Sequence, residues 1–216
     1  MYQSVGIVGM LKAFGALVAA VLLTLISMDS GLSAGELIRK ISSSVTIAAL
    51  IFLALGQSPL FPIFCRLPII RGYFPPIDGE WEVTLDSNWD KIKEMKGVVD
   101  GKVTSPVKGK VKIKSRLLFI HIGFDANSRY SGSKTVCVSV NRDPYDSTIK
   151  LNYIYENHTP IPETTDSPIH NGAARVTISE DDVNGLTMTG TYWTDRKWTE
   201  GMNTAGRITY RRAKKT

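Results

Sequence analysis

The sequence predicts two N-terminal membrane-spanning α-helices followed by an all-β domain, a compact antiparallel β-barrel of about eight strands. Three observations carry this. Residues 5–28 and 44–64 are long, almost uncharged apolar runs. From Gly79 onward, apolar residues recur with a period of two between turn signals. The last stretch, Gly185 to Arg212, reads as two extended runs joined by a polar turn, a hairpin able to close a barrel. The implied boundaries are a two-helix region at 1–65, a Pro-rich linker at 66–78, a β-barrel domain at 79–212 and a basic tail at 213–216.

Residues 5–28 hold one charge, Lys12, near the end where a lysine can snorkel to the headgroups. About 20 such residues cross a bilayer as a helix, which satisfies its own backbone in lipid. Lys12, the run from Ala13 to Ile26 and Leu32-Ser33-Ala34 also have the order of a signal peptide, but a second apolar run follows. Residues 29–40 read as a polar connector. Residues 44–64 are uncharged, and Gly56, Gln57, Ser58, Pro59 and Pro62 predict a kinked or unwound exit. Both runs are apolar on all faces, which argues against a buried hairpin of a soluble protein. Arg66 and Arg71 follow the second run, so the positive-inside bias puts both termini in the cytoplasm. Pro75 and Pro76 stiffen the linker.

Beyond it, Trp81, Val83 and Leu85 alternate with Glu80, Glu82 and Thr84. Val107, Gly109, Val111 and Ile113 alternate with Lys108, Lys110, Lys112 and Lys114. Residues 117–124 are apolar on both faces, as in a doubly covered strand. Residues 135–140, 148–155 and 173–178 continue the series. Asp100-Gly101, Asn127 to Gly132, Asp143-Pro144 and Asn184-Gly185 supply turns. Residues 86–96 have room for a helical turn or two, and 157–171 form a Pro- and Thr-rich loop of lid length.

The chain of 216 residues has 26 basic and 20 acidic groups, five and two of them before residue 76. The remaining excess of about three marks no DNA or RNA groove. Cys65 and Cys137 are too few for a disulfide framework and read as free thiols. His121, His158 and His170 lack metal-ligand spacing, and no nucleophile elbow, phosphate loop or dinucleotide fingerprint occurs. Asp195 and Glu200 flank the final turn, where carboxylates are common anyway. The expectation is no enzyme, no metal and no cofactor.

What remains is a binding site at the barrel mouth. Tyr192 and Thr194 share a face, so an aromatic platform and a hydroxyl meet there. An aromatic ring stacks on any nucleobase, and Arg196, Arg129 or Arg207 suits phosphate. Asn203 and Thr204 offer groups for base edges or phosphates, and Trp81 adds an aromatic. Each residue has a plainer reading too: Trp81 and Tyr192 as core aromatics, Arg196 as a solvated turn charge.

The chain resembles the two-transmembrane, β-strand-rich effectors of bacterial cyclic-oligonucleotide-based antiphage signalling systems (CBASS). The likeness rests on the two apolar runs, Arg71-Gly72-Tyr73-Phe74-Pro75-Pro76, Gly79-Glu80-Trp81, and the closing Gly190-Thr191-Tyr192-Trp193-Thr194-Asp195-Arg196 with Gly201 and Gly206-Arg207-Ile208. It implies a barrel that senses a cyclic dinucleotide made by a partner nucleotidyltransferase. Binding would drive self-association of the helices, disruption of inner-membrane lipid and death of the infected cell. Two other classes compete. A membrane-tethered carrier or sensor of a lipid or other apolar molecule predicts a greasy interior with no need of Arg196. A membrane hydrolase predicts that Asp195, Glu200 or His121 is essential for turnover.

Overall fold

The computed structural model describes residues 1–28, 33–98, 105–126, 132–181 and 185–213. They divide into two compact units, Met1–Pro76 with Arg116–Leu118, and Ile77–Ser115 with Phe119–Thr216.

The first unit is helical. Helix α1 runs Gly6–Ser27 and α2 runs Ala34–Gln57. Both are long and apolar enough to cross a membrane. The Phe14 and Phe52 rings meet edge to face, with centroids 5.9 Å apart. Helix α2 starts earlier than the expected apolar run. Ser33 and Glu36 form a reciprocal capping box, so the predicted connector 29–40 contributes its second half to the helix. Lys40, on that added turn, donates to the Leu25 carbonyl at 2.6 Å. The exit is unwound as expected: Ser58 is extended, and Pro62 and Pro68 sit in the first turns of two four-residue helices, α3 (Phe61–Phe64) and α4 (Pro68–Arg71). The linker at 66–78 is therefore partly helical. Leu117 donates its amide to Gly56 and accepts from the Tyr2 amide, at 2.9 and 2.8 Å.

The second unit is a closed antiparallel barrel of eight strands in sequence order. They are β1 (Gly79–Ser87), β2 (Val107–Ser115), β3 (Ile120–Ala126), β4 (Gly132–Arg142), β5 (Ile149–His158), β6 (Ile169–Asp181), β7 (Gly185–Thr194) and β8 (Ala205–Arg212). One helix, α5 (Trp89–Met95), interrupts the run after β1. Closure comes from β8, which pairs with β7 on one side and β1 on the other. This removes the unpaired sheet edges that invite aggregation.

Alternation decides which side chains fill the barrel. On β2, Gly109, Val111, Ile113 and Ser115 are buried while the four lysines face solvent. On β7, Leu186, Met188, Tyr192 and Thr194 are buried. Two inward positions are glycine because backbone comes too close: a Cβ at Gly190 would overlap the Arg175 carbonyl, and one at Gly206 the Asp86 carbonyl. The apolar stretch 117–124 is not one strand; β3 begins at Ile120, and 116–118 group with the helical unit. Strands β5 and β6 extend further than expected, which shortens the predicted loop 157–171 to residues 159–168. The Thr159 amide closes its neck on the Pro168 carbonyl at 2.8 Å. The expected turns at Asp100-Gly101, Asn127 and Asn184 lie outside the described residues.

Candidate functional site

The barrel interior opens into a cavity of about 290 Å³ at one end. It lies where β1, β3, β5 and β7 end and β2, β4, β6 and β8 begin. Its walls are strand residues with the inward phase. Strand β5 contributes Tyr153, Tyr155 and Asn157; β7 contributes Tyr192 and Thr194; β8 contributes Ile208 and Tyr210. Ser133 and Thr135 enter from β4, and Val83, Leu85 and Ser87 from β1. Trp89 comes from the first position of α5. The rim is Asp166 from the loop 159–168, His170 from β6, and Arg196 and Thr204 from the β7–β8 turn.

Burial shapes the chemistry of these groups. Tyr153 and Tyr210 share a hydrogen bond at the inner end of the cavity, and burial raises both phenols above their ordinary pKa. Burial likewise raises Tyr155 and Tyr192. All four stay neutral at physiological pH, presenting ring faces and hydroxyls. Tyr155 has room because its cross-strand partner is Gly172, where a Cβ would overlap the phenol ring.

The β7–β8 turn is built to hold Arg196. Thr194 and Thr204 brace its base: the Thr194 amide donates to the Thr204 carbonyl at 2.9 Å, and the Thr204 amide donates to the Thr194 hydroxyl at 3.1 Å. Asp195 anchors the turn to β6, accepting from the Asn171 amide at 2.6 Å and from its side-chain nitrogen at 3.2 Å. Lys197 and Gly201 take left-handed conformations at φ 38° and 68°, which fold the turn back through a 3-10 helix at Trp198–Glu200. The Arg196 guanidinium stacks on the Trp89 ring, 4.2 Å from its centroid. Its Nη1 lies 3.7 Å from the Asp166 carboxylate. Its buried Nη2 has no hydrogen-bond partner among the described residues. Burial pulls the guanidinium below its ordinary pKa, yet arginine remains charged at any physiological pH. His170 also has a buried, unpartnered ring nitrogen, Nδ1, and burial lowers its pKa below the usual imidazole value.

The residues expected from the sequence divide as follows. Tyr192, Thr194, Arg196 and Thr204 line the cavity together. Asn203 is exposed, one residue out of phase with Thr204, and is not on the wall. Trp81 is fully buried below the cavity, its indole donating to the Ile77 carbonyl at 2.8 Å and its ring meeting Tyr210 edge to face. It is a core aromatic, as its plainer reading had it. Arg207 faces outward from β8, and Arg129 lies outside the described residues. Glu200 is exposed beside Lys197, and Asp195 is tied to Asn171, so neither meets His121, which is exposed on β3. No group of three metal-ligating side chains occurs among the described residues.

Sequence reasoning missed Tyr153, Tyr155 and Asn157. They were legible as a period-two polar-aromatic series in Asn152-Tyr153-Ile154-Tyr155-Glu156-Asn157. It also missed Trp89, Asp166, His170 and Tyr210. The first three reach the mouth from a helix, a loop and a distant strand, and no local pattern announces that.

A cavity with aromatic walls, hydroxyls and, at its rim, a cation with one unpartnered donor fits a ligand carrying nucleobases and phosphate. A family model described as "Cap15, cyclic dinucleotide receptor domain" matches residues 73–212, the whole barrel. A protein of Escherichia albertii named CD-NTase-associated protein 15 is 25% identical over 171 residues, covering 79% of each chain.

Proposed function

The chain belongs to the Cap15 cyclic dinucleotide receptor family, and from that premise we propose that it is a membrane-anchored effector whose cyclic dinucleotide site is the cavity at the barrel mouth. It is a CBASS cyclic dinucleotide receptor whose ligand is the product of a nucleotidyltransferase. The observation that carries the assignment of the site is Arg196, a cation whose Nη2 has no hydrogen-bond partner among the described residues, on the lining of a cavity walled by tyrosines. A phosphodiester oxygen satisfies that donor through a charge-assisted hydrogen bond, and each base stacked on an aromatic wall contributes about 1–3 kcal/mol. The carrier of a wholly apolar molecule is the weaker reading, because it offers no acceptor to Arg196, whose Nη2 has no partner among the described residues.

Receptor binding does no chemistry on the ligand. The output runs through α1 and α2, which cross the inner membrane with both termini in the cytoplasm. A ligand that binds an assembled form better than the monomer shifts the population towards assembly by its differential affinity. Ala13, Ala16 and Ala20 are exposed along α1 and allow close helix approach. Assembled helices then breach the bilayer.

The test uses the full chain in dye-loaded vesicles of bacterial lipids. Adding a cyclic dinucleotide should release dye and raise the oligomer size, and the ligand should be recovered chemically unchanged. Ala13→Leu with Ala16→Leu should suppress release without weakening ligand binding. Ligand binding without leakage or assembly would overturn the effector output, and conversion of the ligand would reveal an enzyme.

A further inference from the structure

We propose that Asp166 is a built-in stand-in for the ligand's phosphate, so that the ligand binds by displacing the Asp166 carboxylate from Arg196 and releasing the loop 159–168. This rests on the cavity being the cyclic dinucleotide site.

The pair is present but poorly made. At 3.7 Å the contact between Asp166 and Arg196 Nη1 is too long for a hydrogen bond, so charge alone holds it. The Asp166 carboxylate takes its hydrogen bond elsewhere, from the Ser167 amide at 2.8 Å. Arg196 meanwhile keeps Nη2 buried without an acceptor, and its Nε reaches the Met202 carbonyl only at 3.4 Å. A guanidinium with an idle donor and a loose anionic neighbour is better served by a second anion. A phosphodiester offers acceptor oxygens to both Nη1 and Nη2, a two-pronged contact that one carboxylate at this distance does not supply.

The loop is fastened so that such an exchange can free it. Beyond its neck at Thr159 and Pro168, it meets the β7–β8 turn through Asp166 and Arg196 and through Lys197, whose ammonium donates to the Thr164 carbonyl. Both fasteners are cations of one turn. An anion arriving beside Arg196 repels Asp166 and competes for Lys197. The trapped carboxylate also sets a threshold: a ligand must bring enough negative charge to replace it, so an uncharged base or nucleoside gains little.

The experiment is a titration of the full chain in detergent with a cyclic dinucleotide, wild type against Asp166→Asn. Removing the competitor should tighten binding by roughly two- to fivefold, the weight of a partly exposed ion pair. Asp143→Asn, which removes a carboxylate paired with Lys150 at 3.0 Å, should leave affinity unchanged. In wild type, hydrogen exchange of the amides at 160–167 should speed up on binding. Equal or weaker affinity in a folded Asp166→Asn protein, or slower exchange in that loop, would overturn the displacement. A wild type that binds no cyclic dinucleotide would instead remove the site assignment on which it rests.

Discussion

The two ends of the barrel interior obey one alternation rule and contain opposite chemistry. Along β5 the inward side chains run Ile149, Leu151, Tyr153, Tyr155, Asn157, and along β7 they run Leu186, Met188, Tyr192, Thr194. Each strand passes from aliphatic through tyrosine to a polar group as it approaches the mouth. Strands of opposite direction run the series in reverse: β4 starts with Ser133 and Thr135 and reaches Val140, and β6 starts with His170 and reaches Val176 and Ile178. The closed end, with Trp81, Ile113, Val140, Leu151, Val176 and Met188, is packed and closed to solvent. Its apolar filling stabilises the barrel, and the mouth is thereby left to aromatic and polar groups that line the cavity. The period of two says only whether a residue points inward. Position along the strand says whether an inward residue packs the closed end or lines the cavity.

The largest expected effect lies at the packed end. Trp81→Ala empties a fully buried site and removes the partners of Tyr210 and of Arg212, whose guanidinium lies 4.1 Å from the indole centroid. It should destabilise the barrel by about 3–5 kcal/mol in denaturant unfolding. A loss under about 1 kcal/mol would mean that the closed end is not what holds the barrel together.

A smaller effect sharpens the boundary between the ends, where Tyr153 and Tyr210 pair. Tyr153→Phe leaves the Tyr210 hydroxyl buried without that partner and should cost about 1–3 kcal/mol. Adding Tyr210→Phe removes the orphan, so the double variant should unfold closer to wild type than the two single losses together predict. Strict additivity in unfolding would show that the two hydroxyls do not act as a pair.

The sequence was most readable where structure is local and periodic. The two apolar helices, the lysine-flanked β2 and the closing hairpin all follow from spacing. So do Tyr192, Thr194 and Thr204 on the cavity wall. Trp81 shows the limit: its inward phase was visible, but its depth follows from strand register, which pairs it with Val111 and Arg212 away from the mouth. Asn203 lies off the cavity wall for a related reason, since the turn sets the phase and brings Thr204 inward instead. Asp166, His170 and Trp89 converge on Arg196 from a loop, a strand start and a helix start. Their meeting depends on barrel closure, a non-local event that leaves no mark in any short window.

The central claim is that the mouth, and Arg196 in particular, receives the cyclic dinucleotide. Calorimetric titration of the full chain in detergent, wild type against Arg196→Ala, tests it most directly. Losing a buried charge-assisted contact should weaken binding by roughly 10- to 100-fold. The ligand-free unfolding curve should change little, because the packed end is untouched. Wild-type affinity in a folded Arg196→Ala protein would contradict the account and place the ligand elsewhere.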